Sequence, residues 1–206
     1  MTTPNLICLL ADSELTKHYS DDLLNETDTL RLAQSPTLSQ RLDWQVSRAL
    51  KFQTASSIQS LSHSHGHAAL LTADTVMPIG VDIEKIKPRA YKVLAECVYS
   101  QEEQSYLAQM GWPIEEFYRL WCLKEALIKA TGFNFPADMA RVGYAFQQGR
   151  ISGLYVEGQS SWHGISALLK REFALACVWQ GEAQTEIHWQ FYGDLLTEDL
   201  ANEKAV

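Results

Sequence analysis

Cysteine, proline and positive charge are all scarce in this chain. Its four cysteines (Cys8, Cys97, Cys122 and Cys177) are scattered, with no C-x-x-C pair and no framework spacing. That argues against a disulfide-stapled scaffold and fits reduced, cytosolic thiols. No apolar run approaches the roughly 20 residues needed to cross a bilayer, and nothing at the start reads as a secretory signal. The expectation is a cytoplasmic protein without membrane association. Lys and Arg number 17 against 25 Asp and Glu, a net charge of −8. With that sign there is no bulk field for a polyanion, so nucleic-acid binding is not expected, and any anionic ligand or acidic partner must be met by local patches. One such patch is Lys85, Lys87, Arg89 and Lys92, which reads equally as a solvated loop around Pro88. From Gly181 onward six acids face only Lys204, and this polar tail is expected to fray.

Apolar residues make up 46% of the 206 positions, enough for a substantial core in one compact unit or two small halves. Residues 6–10 read as a strand. The stretch 21–51 reads as helical, with a break at Pro36 and a core stripe of Leu38, Leu42, Val46 and Leu50. Residues 68–72 and 79–83 read as strands. A single helix is expected over 91–110, closed by Gly111 with Pro113 shortly after, then a second over 115–131, closed by Gly132. Strands are expected at 142–146, 151–155, 164–169 and 173–179, the last two joined by a hairpin at Lys170-Arg171-Glu172, with a final strand at 188–192.

Chemistry concentrates in two segments, Gly80-Val81-Asp82-Ile83-Glu84 and Trp121-Cys122-Leu123-Lys124-Glu125-Ala126-Leu127-Ile128-Lys129. On a strand, residues two apart share a face, so Asp82 and Glu84 project together while Val81 and Ile83 turn to a core. On a helix, Glu125 and Lys129 share a face. Taken singly, each pair reads first as structural, Asp82 and Glu84 as an exposed strand edge and Glu125 with Lys129 as a solvated ion pair. Gathered in one place, three carboxylates would suit Mg²⁺, which favours oxygen ligands and takes phosphate oxygens as further partners.

Together these segments closely resemble the signature of the 4′-phosphopantetheinyl transferase superfamily, G-[IV]-D-[IVL]-E followed some forty residues later by W-x-x-K-E-x-x-x-K. The resemblance extends to Ala130-Thr131-Gly132, and upstream to Leu61-Ser62-His63-Ser64, similar to an S-H-S segment that contacts coenzyme A. It also takes in Tyr99-Ser100-Gln101-Glu102-Glu103, similar to the F-[ST]-x-x-E segment that carries a proposed general base, and Ser47-Arg48-Ala49-Leu50, similar to a helix whose arginine binds the nucleotide. The clear motifs cover about a third of the chain, and its length suits the larger, Sfp-type branch.

This resemblance implies an α+β fold of two pseudo-symmetric halves, 1–77 and 78–206, with the active site in the cleft between them. The implied activity is Mg²⁺-dependent transfer of phosphopantetheine from coenzyme A to a serine of an apo acyl or peptidyl carrier protein. It assigns Asp82, Glu84 and Glu125 to the metal, and Glu103 and Lys129 to catalysis. Arg48, Ser62, His63, Lys124 and Lys129 are assigned to coenzyme A, and the protein is expected to be a monomer. One departure stands out. The G-K-P-like segment usual before S-H-S is replaced by residues 52–60, which hold no lysine, glycine or proline; Lys51 and Arg48 are the available substitutes, with Arg41 competing for the arginine role.

Two other classes fit parts of the sequence. A non-catalytic carrier-binding homologue would account for the altered segment before Ser62. A metal-dependent phosphohydrolase would use His63, His65 and His67 as alternating Zn²⁺ ligands, although the H-x-H-x-D-H pattern lacks its aspartate here.

Overall fold

The computed structural model describes residues 4–88, 90–183 and 185–206; Arg89 of the basic segment lies outside them. The chain runs β1 (Leu6–Ala11), α1 (Glu26–Gln34), α2 (Leu42–Lys51), β2 (Gln59–Ser64), β3 (His67–Ala73), β4 (Ile79–Lys85), α3 (Tyr91–Val98), α4 (Gln101–Gln109), α5 (Ile114–Thr131), β5 (Val142–Gln147), β6 (Arg150–Val156), β7 (Trp162–Leu169), β8 (Phe173–Gln180), β9 (Ile187–Tyr192) and β10 (Leu200–Ala205). One sheet has the order β2-β3-β1-β9, a second the order β10-β7-β8-β4, and β5-β6 form a separate ribbon.

Side-chain alternation turns these sheets into four layers. Along β1, Leu6, Cys8 and Leu10 face one way, while Leu9 and Ala11 face α2 with its Val46, Ala49 and Leu50. Along β8, Phe173, Leu175, Cys177 and Trp179 join that same inter-sheet core, whereas Ala174, Ala176 and Val178 pack under α5 with Leu120, Leu123 and Leu127. Both central strands are therefore apolar on each face, as strands covered on both sides must be. The α+β order is helix, sheet, sheet, helix.

Where the sheets meet edge to edge, no backbone ladder joins them. Alternate residues of β2 do so instead. Ser60 Oγ accepts from the Val81 amide at 3.0 Å, Ser62 Oγ donates to Asp82 Oδ1 at 2.8 Å, and Ser64 Oγ accepts from the Lys85 amide at 3.2 Å while donating to Glu84 Oε2 at 3.0 Å. Three hydroxyls at period two thus satisfy an edge strand that would otherwise present unpaired groups.

Several expectations need correction. The single helix over 91–110 is two, because Ser100 caps α4: its hydroxyl accepts from the Glu103 amide, and the Glu103 carboxylate accepts from the Ser100 amide. Such a reciprocal capping box starts a helix rather than continuing one. Pro36 opens a 3₁₀ turn, Pro36–Gln40, between α1 and α2. The tail does not fray but forms β10 against β7, with Val206 and Gly164 exchanging backbone bonds of 2.8 and 3.0 Å. The chain passes from the first sheet to the second between Ala73 and Ile79, yet β9 returns to pair in parallel with β1, so residues beyond 77 contribute to both sheets. Among the described residues, no helix is long and apolar enough to cross a membrane.

Candidate functional site

A cleft of about 450 Å³ opens where β2, β4, α2 and α5 converge. Gly80 makes this convergence possible. A Cβ built there would stand 2.0 Å from the Ala126 carbonyl oxygen, so only glycine lets α5 lie against β4. That close approach sets Glu125 and Lys129 beside Asp82 and Glu84, and all four line the cleft.

At this end Asp82 is buried. Its Oδ1 accepts from Ser62 Oγ and from Lys129 Nζ, each at 2.8 Å, while Oδ2 is buried without a hydrogen-bond partner. Lys129 also donates to the Val81 carbonyl at 3.0 Å. Burial, then the neighbouring Asp82 and to a lesser degree Glu84, push the Glu125 carboxyl up to about 7 against the opposing pull of Lys129. A carboxyl raised by neighbouring carboxylates in spite of a nearby lysine marks a local excess of negative charge. Among the described residues, no three His, Cys, Asp or Glu side chains form a ready-made metal cage. Even so, the buried Asp82 oxygen without a hydrogen-bond partner and the gathering of Asp82, Glu84 and Glu125 along one wall fit a divalent cation, beside the Lys129 ammonium that pairs with Asp82.

The other end is cationic. Arg31, Arg41 and Arg48 line it, with Leu38, Trp44 and Leu61. Arg48 stacks 3.9 Å above the Trp44 ring and is tied to Asp28 at 2.9 Å and to Ser47 Oγ at 2.9 Å, leaving its buried Nε with no partner. Lys51 also pairs with Asp28. Burial alone would raise the Asp28 carboxyl, but Lys51 and Arg48 outweigh it and hold the group below its ordinary range. Arg31 and Arg41 are exposed and have no carboxylate partner among the described residues. Ser62 and His63 lie between the two ends. Loss of solvent, reinforced by Arg48, Lys129 and Arg41 and only partly opposed by Asp43, lowers the His63 pKa and keeps the ring neutral at pH 7.

Of the expected site residues, Asp82, Glu84, Glu125, Lys129, Arg48, Ser62 and His63 come together in this cleft. Glu103 and Lys124 do not. They form a buried ion pair of 2.8 Å inside the layer beneath, only 1% exposed each. Glu103 Oε2 also accepts from the Ser100 amide at 2.8 Å, and Oε1 from the Tyr144 amide at 3.0 Å. With its oxygens engaged by Lys124 and two backbone amides, Glu103 ties α4, α5 and β5 together and does not line the cleft. Gly143 belongs to this device, since a Cβ there would stand 1.9 Å from Glu103 Oε1. Nor do the alternating histidines gather: His65 contacts Lys87 and His67 packs on the Phe173 ring at 4.1 Å.

Residues 78–178 match the model of the 4′-phosphopantetheinyl transferase superfamily. This part of the chain belongs to that superfamily. It is 38% identical over 97 residues to the 4′-phosphopantetheinyl transferase ffp of Bacillus subtilis, which covers 45% of this chain and 42% of that one. To the transferase Sfp of Bacillus subtilis strain 168 it is 33% identical over 92 residues, 43% and 41% of the two chains. To AcpT of Escherichia coli K12 it is 40% identical over 76 residues, 35% and 38%. The chain thus matches less than half the length of these relatives. The superfamily match contains Asp82, Glu84, Glu125 and Lys129, whereas Arg48, Ser62 and His63 lie before its start.

Trp44 and Arg31 were not singled out from the sequence, nor were Ser60 and Ser64 for the roles they take. For the serines, the signal was present in the strict alternation Ser60, Ser62, Ser64.

Proposed function

We propose that this chain transfers the 4′-phosphopantetheine group of coenzyme A to a serine hydroxyl of an apo acyl or peptidyl carrier protein, leaving adenosine 3′,5′-bisphosphate. The observation that carries this reading is the polarity of one cleft, with carboxylates and Lys129 at one end and arginines at the other. A pyrophosphate flanked by a nucleotide phosphate needs both.

Asp82, Glu84 and Glu125 would hold Mg²⁺, which when bound supplies charge neutralisation for the pyrophosphate. Lys129 sits among these acids and directs its ammonium group at a phosphate oxygen. Phosphoryl transfer depends mainly on positioning and electrostatic stabilisation, so such a fixed cation lowers the barrier directly. Neutral His63 donates its ring N–H to phosphate and is not lost to repulsion between cations. Arg31 and Arg41, with the unpartnered Nε of Arg48, hold the nucleotide end, and Leu38 and Leu61 wall it. This arrangement replaces the absent G-K-P-like segment. Glu103 contributes by fixing Lys124 and hence α5, and proton abstraction is not assigned to it. Every group named comes from one chain, so a monomer suffices.

The test is incubation of apo carrier proteins with coenzyme A and Mg²⁺, read by intact mass. Asp82→Ala and Glu125→Ala are expected to lose roughly 100-fold or more in rate, the scale of removing one preorganised electrostatic group, with unchanged circular dichroism. Equal labelling by both variants would refute the acid assignment.

A further inference from the structure

Cys8 and Cys177 take no part in the cleft. One lies on β1 of the first sheet and the other on β8 of the second, and their sulfurs meet at 3.6 Å in the core between the sheets. Both are wholly buried. In register, Cys8 stands opposite Leu71 and Trp189 within its sheet, and Cys177 opposite Val81 beside Asp82 in the other. At the edge strands the sheets are held together by serine hydroxyls rather than a ladder. A bond between these sulfurs would therefore be a direct covalent tie across the two layers, directly behind the acid strand.

We propose that Cys8 and Cys177 form an oxidation site, a thiol pair that a low-molecular-weight disulfide converts into a cross-link between the two sheets. The sulfurs need to close from 3.6 Å to the ~2 Å of a disulfide. One cysteine thiolate attacks the small disulfide, expels one thiolate and becomes a mixed disulfide. The second cysteine thiolate attacks that sulfur and expels the other small thiolate. Both cysteine sulfurs are oxidised, the small disulfide is reduced to two thiols, and the two cysteine protons pass to them. Burial holds the Cys8 thiol well above its ordinary value, so the closed protein reacts slowly and the link forms as the sheets come together during folding. Because the bridged residues are 169 apart in sequence, the cross-link closes a long loop in the unfolded chain and raises thermal stability.

The experiment uses the full chain with the exposed Cys97 replaced (Cys97→Ser), unfolded in urea and refolded with oxidised and reduced glutathione, then denatured again to expose the buried thiols, alkylated and weighed intact. The expected product is two hydrogens lighter than the reduced chain and alkylates only at Cys122. It yields a Cys8–Cys177 peptide and melts several degrees higher than the reduced form. Introducing Cys8→Ser abolishes the mass loss and the rise in melting temperature while the reduced variant still folds. Recovery of only fully alkylated chain or glutathione adducts overturns the proposal, as does an internal disulfide of any other pairing or a linked chain that melts no higher than the reduced one.

Discussion

Glu125 carries the clearest electrostatic signature of any single residue at the site. Its carboxyl is raised to about 7 from an ordinary value of 4.5, first by burial and then by Asp82. The folded protein therefore binds this proton more tightly than the unfolded chain does. Stability from this source is fully present below pH 4.5 and is lost as pH rises through 7. Without divalent cation, the urea midpoint is expected to fall across that window. Glu125→Gln should remove this fall and leave the variant more stable than wild type at pH 8; added Mg²⁺ should stabilise wild type more than Glu125→Gln. A flat wild-type profile would contradict the geometry. Glu103 makes an opposite prediction about stability. Glu103→Ala leaves Lys124 buried without its counter-charge, at a cost of about 3–5 kcal/mol by urea denaturation, and the double variant Glu103→Leu with Lys124→Met should recover much of the loss. A single-variant loss below about 1 kcal/mol would show that the pair is open to solvent. The Ser100-Gln101-Glu102-Glu103 segment carries a capping-box pattern that the single-helix reading of 91–110 passed over, and its acid belongs to that cap.

Among the elements, the contact of β4 with α5 builds the acid end, and Gly80 sets its distance. Gly80→Ala is expected to push the helix off the strand and cost about 1–3 kcal/mol, with weaker Mg²⁺ dependence of transfer. Unchanged stability would mean that the helix has room the structure denies it. Ser60→Ala removes the hydroxyl that accepts from the Val81 amide at the seam and should cost roughly 1–3 kcal/mol by the same denaturation. How much of this was legible follows from the length and period of each element. The 3.6-residue stripe of α5 and the alternating Val81/Ile83 face were plain, because each buries one side against a single partner. The break between α3 and α4 was obscured by apolar positions that keep helical spacing across Tyr99. The polar strand β10 offered no apolar pattern, since its order comes from backbone pairing with β7 and from Arg119, which donates to the Asn202 carbonyl at 2.8 Å.

Across the whole molecule, two sheets packed face to face place an acid strand and a serine strand edge to edge, and α2 and α5 close the cleft on either side. The acids could be read locally, since Asp82 with Glu84 and Glu125 with Lys129 each lie within a continuous motif, while the α+β class followed from the resemblance those motifs carry. The return of β9 to the first sheet could not, because a parallel pairing with β1 joins segments at opposite ends of the chain. Likewise, the arginine end of the cleft required the fold, since Arg31 and Arg41 become neighbours of the acids only through the layer order. The central claim is that these two ends bind one coenzyme A molecule for transfer to a carrier. Its most direct test is the mass of apo carrier proteins after incubation with this chain, coenzyme A and Mg²⁺. The account predicts a phosphopantetheine mass gain on at least one carrier, abolished by chelation and by Asp82→Ala in a folded protein. No gain across a panel of acyl and peptidyl carriers, or an undiminished gain with Asp82→Ala, would contradict it.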